Sequence, residues 1–115
     1  MDIQTTEQGS PPTLLLVDDE ENILSALRRL FRPTGYHIFT ASDGMQGLEV
    51  LAKENIDLVI SDMRMPGMDG AKFLEEVAKR WPDTVRILLT GYSDLTSTIS
   101  AVNKGRIYCY ISKPW

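Results

Sequence analysis

The chain is poor in the residues that most often do chemistry. Its 115 residues include one cysteine, Cys109, and one histidine, His37. A single cysteine excludes an internal disulfide and fits a reducing compartment. Cys109 lies inside the apolar run "IYCYI", where a thiol is buried and inert. His37 falls in a predicted strand with no partner motif nearby and reads as a packing or edge residue. There is no Lys/Arg-rich run, and the net charge of -4 argues against a nucleic-acid surface. No apolar run reaches membrane-spanning length, and the first residues lack the apolar core of a signal peptide. The glycines never form GxxxxGK[ST], so no P-loop is supported. These absences point to a soluble, cytoplasmic protein without direct contacts to nucleic acid or membrane.

What is present is ordinary in amount and regular in order. The hydrophobic fraction is 43% and the charged fraction 24%, both normal for one globular domain. A domain of this length buries roughly two-thirds of its unfolded surface, so it needs no disulfide or metal to hold it together. Residues 1–12, "MDIQTTEQGSPP", are polar and end in a proline pair; they read as a disordered leader to a domain over 13–115.

From Thr13 onward, short apolar runs alternate with helical stripes. Strands are predicted at Thr13–Val17, Tyr36–Ala41, Ile56–Ile60, Val85–Leu89 and Ile107–Ile111. Between them, four stripes recur at helical spacing: Ile23, Leu24, Leu27, Leu30 and Phe31; Met45, Leu48, Leu51 and Ala52; Phe73, Leu74, Val77, Ala78 and Trp81; and Leu95, Ile99 and Val102. Ser42 or Asp43 is a candidate cap for the second. Strands apolar on both faces and alternating with helices imply a doubly wound parallel α/β sheet of five strands. Such folds place their working site outside the carboxyl ends of the strands.

That edge gathers an unusual set. The first strand ends in Asp18, Asp19 and Glu20, the third runs into Asp62, the fourth into Thr90, and the fifth into Ser112, Lys113 and Pro114. Each has a plain structural reading alone. Asp18 or Asp19 could cap the first helix, Asp62 could hold its own loop, Thr90 could end a strand, and Lys113 could be a solvated charge. Together their chemistry is coherent. Crowded carboxylates repel one another unless a cation resolves the conflict, and all-oxygen ligands suit a hard ion, first of all Mg2+. Asp62 can act as a nucleophile that forms an aspartyl phosphate, with Lys113 and the Thr90 hydroxyl facing the phosphoryl oxygens.

The segments "LLLVDDE", "DLVISDMRMPGMDG", "ILLTGYSD" and "YISKPW" occur in this order, each at a strand end. With them the chain, from about Thr13 to Trp115, resembles the receiver domain of two-component response regulators. The resemblance implies a CheY-like sheet of strand order 2-1-3-4-5, with a fifth helix that would follow Trp115. It implies that Asp62 is the phosphoacceptor and that Asp19, Asp62 and the Arg64 carbonyl ligate Mg2+, with Asp18 holding a metal-bound water. It makes Lys113 the partner of the phosphoryl group, and Thr90 and Tyr110 the switch pair. The phosphoryl donor would be a phosphohistidine on a sensor histidine kinase or phosphotransfer protein. An output domain beyond Trp115 would be of the cyclic-dinucleotide phosphodiesterase (HD-GYP) or the transcriptional-activator type, the tail leaning to the former. An open sheet face would favour a homodimer or partner exchange.

Two other function classes meet the same residues less well. A haloacid-dehalogenase-like phosphohydrolase needs a second Asp two positions after the nucleophile, and Arg64 stands there. A binding module that works without phosphorylation would leave the whole acidic and hydroxyl set without a purpose. The expected protein is therefore a phosphoacceptor switch rather than an enzyme.

Overall fold

The computed structural model describes residues 11–90 and 109–112. For Thr90 and 109–112 that description is of the strand backbone. Five strands and three helices follow in the order β1 (Thr13–Val17), α1 (Glu21–Phe31), β2 (His37–Ala41), α2 (Gly44–Lys53), β3 (Leu58–Asp62), α3 (Gly70–Arg80), β4 (Val85–Thr90) and β5 (Cys109–Ser112). A 3-10 turn over Arg32–Thr34 closes α1. All pairings are parallel, and the strand order is β2-β1-β3-β4-β5, as expected.

Side chains along β1 alternate between two cores, as the strand pleat dictates. Leu14 and Leu16 join Leu24 and Leu27 of α1 on one face. Leu15 and Val17 join Leu51 of α2 and Phe73, Leu74 and Val77 of α3 on the other. The continuous apolar run is thus explained by a strand covered on both sides.

Helix starts follow local chemistry. Asp43 caps α2 by accepting from the Gln46 N–H at 2.8 Å, while the Gln46 side-chain oxygen accepts from the Ser42 N–H at 3.0 Å. Asp69 caps α3 by accepting from the Lys72 N–H at 2.8 Å. Neither Asp18 nor Asp19 caps α1. Its first flanking residue is Glu20, which makes no side-chain cap, and the Asp18 carboxylate accepts from the Glu20 N–H outside the helix.

Several sequence expectations need correction. β3 is Leu58–Asp62 rather than Ile56–Ile60, because its ladder with β4 extends to the pair Asp62–Leu89. Ile56 is buried before the strand begins. β5 likewise lies later, at Cys109–Ser112. β2 opens at His37, which is exposed on the edge strand. Within the apolar stripes, Leu30 and Met45 face outward, at 58% and 61% exposure. Ala52 is exposed too; the buried face of α2 is Gly44, Gly47 and Leu51, rotated towards the small residues that let the helix approach its neighbours closely. The stripe at Leu95, Ile99 and Val102 lies outside the described residues, as do residues 1–10 of the leader over 1–12 and Lys113 to Trp115.

Gly35, after the 3-10 turn, has φ +80°, and a Cβ there would meet nothing within 4 Å. Its need is conformational, not spatial. Gly35→Ala is therefore expected to cost about 1–2 kcal/mol of stability with no steric clash. The shift of a urea midpoint checks this.

A candidate phosphoacceptor site at the carboxyl edge of the sheet

β1 and β3 are neighbours in register through Val17 and Ser61, so Asp18 and Asp62 leave the ladder side by side. Asp18 is buried, at 1% exposure, and Asp62, the last residue of β3, is 7% exposed. Asp19 is exposed. One carboxylate oxygen from each of Asp18, Asp19 and Asp62 lies within 4.8 Å of the others. Two backbone bonds hold this corner. The Asp18 N–H donates to the Ala41 carbonyl of β2 at 3.1 Å, and the Glu20 N–H donates to Asp18 Oδ1 at 2.9 Å. The second bond orients the buried carboxylate.

Three carboxylates so close would repel strongly in a site of low dielectric constant. The donor set is all oxygen, drawn from two adjacent strand ends and partly open to water through Asp19. It fits a hard, partly hydrated cation such as Mg2+, and none of the thiolate or imidazole donors that select softer metals belongs to it.

The loop after β3 is drawn back onto the strand. The Met63 N–H donates to the Leu89 carbonyl at 3.0 Å, and the Gly70 N–H donates to the Met63 carbonyl at 2.7 Å. Met63 and Met65 are buried in the α2–α3 core, with Met68 partly buried against it, while Arg64 on the same loop is exposed. Thr90 ends β4, one residue beyond the Leu89 paired with Asp62, and pairs in backbone register with Ser112. Tyr110 lies in β5 opposite Leu88. The strand ends bearing Thr90 and Ser112 thus lie in sequence across the sheet from the acids, whereas Lys113 lies outside the described residues.

Two residues that the sequence motifs did not single out touch the Asp62 backbone. Ser61 Oγ donates to the Asp62 carbonyl at 2.9 Å, and Gly70 lies against the same carbonyl. A polar residue inside an otherwise apolar strand was the available signal for the first. The opposite end of the sheet holds a cavity of about 420 Å³ bounded by Ile56, Asp57, Trp81 and Thr84. It lies at the amino ends of β3 and β4, away from the acids. Among the described residues no helix is long and apolar enough to cross a membrane.

Residues 14–115 match the family model described as "Response regulator receiver domain". The hydrogenase transcriptional regulatory protein HoxA of Cupriavidus necator is 41% identical over 103 residues, covering 90% of this chain and 21% of that protein. The chain therefore spans about a fifth of the length of the curated relatives it matches. Among solved structures, the signal receiver domain of an HD domain-containing protein from Pseudomonas fluorescens Pf-5 is 46% identical with a TM-score of 0.88, covering 91% of this chain and 84% of that one. The response regulator TrrA from Thermotoga maritima, solved in complex with Mg2+–BeF, is 36% identical with a TM-score of 0.80, covering 90% of this chain and 88% of that one. On its family match, its parallel five-stranded sheet and its agreement with these relatives, the chain belongs to the response regulator receiver domains.

Proposed function

We propose that Asp62 accepts a phosphoryl group from the phosphohistidine of a sensor histidine kinase or phosphotransfer protein, within a receiver formed by residues 13–115 and preceded by a polar leader. The observation that carries this reading is the meeting of Asp18, Asp19 and Asp62 within 4.8 Å at the carboxyl edge of the sheet. Asp18, Asp19, Asp62 and the Arg64 carbonyl would hold Mg2+, which supplies charge neutralisation for the transfer. A carboxylate oxygen of Asp62 attacks phosphorus, the bond from phosphorus to the donor breaks, and the donor leaves with the electron pair. Thr90 and Lys113 serve the phosphoryl oxygens, and Thr90 with Tyr110 relays the change to an output surface. The chain is an acceptor that assists its own phosphorylation and hydrolysis rather than an enzyme acting on separate substrates, and it works in the cytoplasm. The Mg2+–BeF complex of the TrrA relative supports this reading, since fluoroberyllate imitates a phosphoryl group.

The phosphorylated receiver would act on an attached output domain. HoxA, a transcriptional regulator, supports an output that controls transcription. A second reading, an output of the HD kind, rests on the 46% identity to the Pseudomonas receiver. The phosphodiesterase activity expected from the tail has no support beyond the tail's own resemblance.

The test is intact mass after incubation with acetyl phosphate. One added phosphoryl group in Mg2+, and none in EDTA, is the expected result. No adduct in Mg2+ would favour a binding module that works without phosphorylation, and sustained turnover of unrelated phosphate esters would favour a phosphohydrolase.

A further inference from the structure

The main chain at Asp62 is held from two sides by residues that have no acid, base or ligand chemistry to offer. Ser61, wholly buried in β3, donates from Oγ to the Asp62 carbonyl at 2.9 Å. Gly70, buried at the first position of α3, lies against that same carbonyl. A Cβ at position 70 would stand 2.1 Å from the Asp62 carbonyl oxygen, 3.0 Å from its carbon and 2.9 Å from the Met63 Cα. All three obstacles are backbone atoms, which cannot swing aside as the tip of a side chain can.

The glycine is needed here for space. Among the described glycines only Gly35 and Gly67 have positive φ, so Gly70 has a backbone that other residues adopt. Its N–H donates to the Met63 carbonyl at 2.7 Å, which ties the first turn of α3 to the end of β3. The helix start therefore presses on the acceptor's own peptide group. Any side chain at 70 must widen a 2.1 Å approach to at least 3.0 Å, either by lifting α3 or by turning the Asp62 peptide. Lifting α3 would pull Phe73 and Leu74 out of a core where both are fully buried, so the peptide yields, at the expense of the one bond from the Met63 N–H to the Leu89 carbonyl. Turning it swings the Cα–Cβ bond of Asp62 and moves the carboxylate relative to Asp18 and Asp19.

We propose that Gly70 and Ser61 are positioning residues for phosphoryl transfer. They clamp the Asp62 carbonyl between a hydroxyl and a bare Cα so that the carboxylate of the same residue keeps its aim. The inference rests on the reading of Asp62 as the acceptor. A reacting atom displaced by about 1 Å loses on the order of a hundredfold in rate, so the clamp matters even though neither residue touches the phosphoryl group.

The experiment compares Gly70→Ala, Ser61→Ala and Gly35→Ala in the 115-residue chain. It measures the rate of adduct formation from acetyl phosphate at saturating Mg2+, together with the urea midpoint of each protein and its Mg2+ affinity from amide NMR shifts. Gly70→Ala is expected to form adduct about 10- to 100-fold more slowly while folded, a loss that further Mg2+ does not rescue. Ser61→Ala, which removes one hydroxyl, slows the step less. Gly35→Ala lies at the amino end of β2, far from the acceptor edge, and keeps the parent rate in spite of its lower urea midpoint. That contrast separates aim from stability. Parent rates in both folded Gly70→Ala and folded Ser61→Ala would overturn the clamp alone. If Gly70→Ala does not fold, Ser61→Ala decides by itself, a parent rate overturning the proposal. A parent protein that takes no phosphoryl group overturns the acceptor reading and the clamp with it.

Discussion

Asp62→Asn is expected to take no phosphoryl group and, in EDTA, to be slightly more stable than the parent. The chemical half follows from the group itself. A carboxamide oxygen carries no full negative charge, so the nucleophile is gone while the side-chain volume is kept. The stability half follows from the crowding of Asp18, Asp19 and Asp62 within 4.8 Å. Like charges about 4 Å apart repel by roughly 4 kcal/mol at an effective dielectric constant near 20. Exposure of Asp19 screens much of this, so relief on the order of 1 kcal/mol is expected when metal is absent. Saturation with Mg2+ reverses the order. A cation that binds only the folded chain stabilises it by about 2.7 kcal/mol at a hundred times its Kd, and the variant lacks a ligand for it. Urea midpoints in EDTA and in Mg2+ should therefore cross between parent and variant. Asp19→Asn should show the same crossing, which separates metal binding from nucleophilicity. Equal Mg2+ stabilisation of the parent and both variants would remove the case for a metal at these acids.

The sheet is legible in the sequence because each strand is marked by its own apolar run. Leu14 to Val17 are apolar at successive positions, as a strand covered on both faces requires, and the order of strands and stripes leaves few topologies open. The acids were legible for a related reason: the carboxyl edge of such a sheet is where sites lie, and Asp18, Asp19 and Asp62 stand at two of its strand ends. Three things were not legible. Strand limits depend on register, and pairing with Leu89 carried β3 on to Asp62. The buried face of α2 was hidden because a hydrophobic pattern cannot see glycines. Gly44 and Gly47 are buried because a Cβ at either would come within 2.9 Å and 2.8 Å of the Met68 sulfur and the Phe73 ring respectively. Finally, Ser61 and Gly70 touch the Asp62 carbonyl; the first breaks the apolar run of its strand without showing which group it meets, and the second leaves no trace in periodicity. The residues easiest to find were the acids that meet at the strand ends, and the hardest were the two whose smallness or single hydroxyl meets the Asp62 backbone behind them.

The contact between Gly47 and Phe73 leads to the largest expected change in stability. Phe73 has no exposed surface and joins Leu15, Val17, Met63, Met65, Leu74 and Val77 in the core beneath α2 and the loop after β3. Its ring occupies the space that a side chain at position 47 would need, so α2 rests directly on it. Phe73→Ala would leave a void facing Gly47, which has no side chain to extend into it. Truncations of this kind cost about 3–5 kcal/mol. Met63 and Met65 share this core, and their flexible thioethers can adjust to the lost volume, which places the expected loss near 3 kcal/mol, the lower end of that range. Against a total stability of about 5–15 kcal/mol that is a large share. Phe73→Leu keeps most of the volume and should cost under about 1.5 kcal/mol. Urea unfolding checks both, with midpoints falling in that order and an unchanged slope showing that the loss is one of packing. A loss below about 1 kcal/mol for Phe73→Ala would mean that α2 does not rest on the ring. Relaxation of the two methionines into the void would also move the segment that follows Asp62. Folded Phe73→Ala protein is therefore expected to accept phosphoryl groups more slowly than its parent, but faster than Gly70→Ala, because the ring supports the loop while position 70 presses on the acceptor itself.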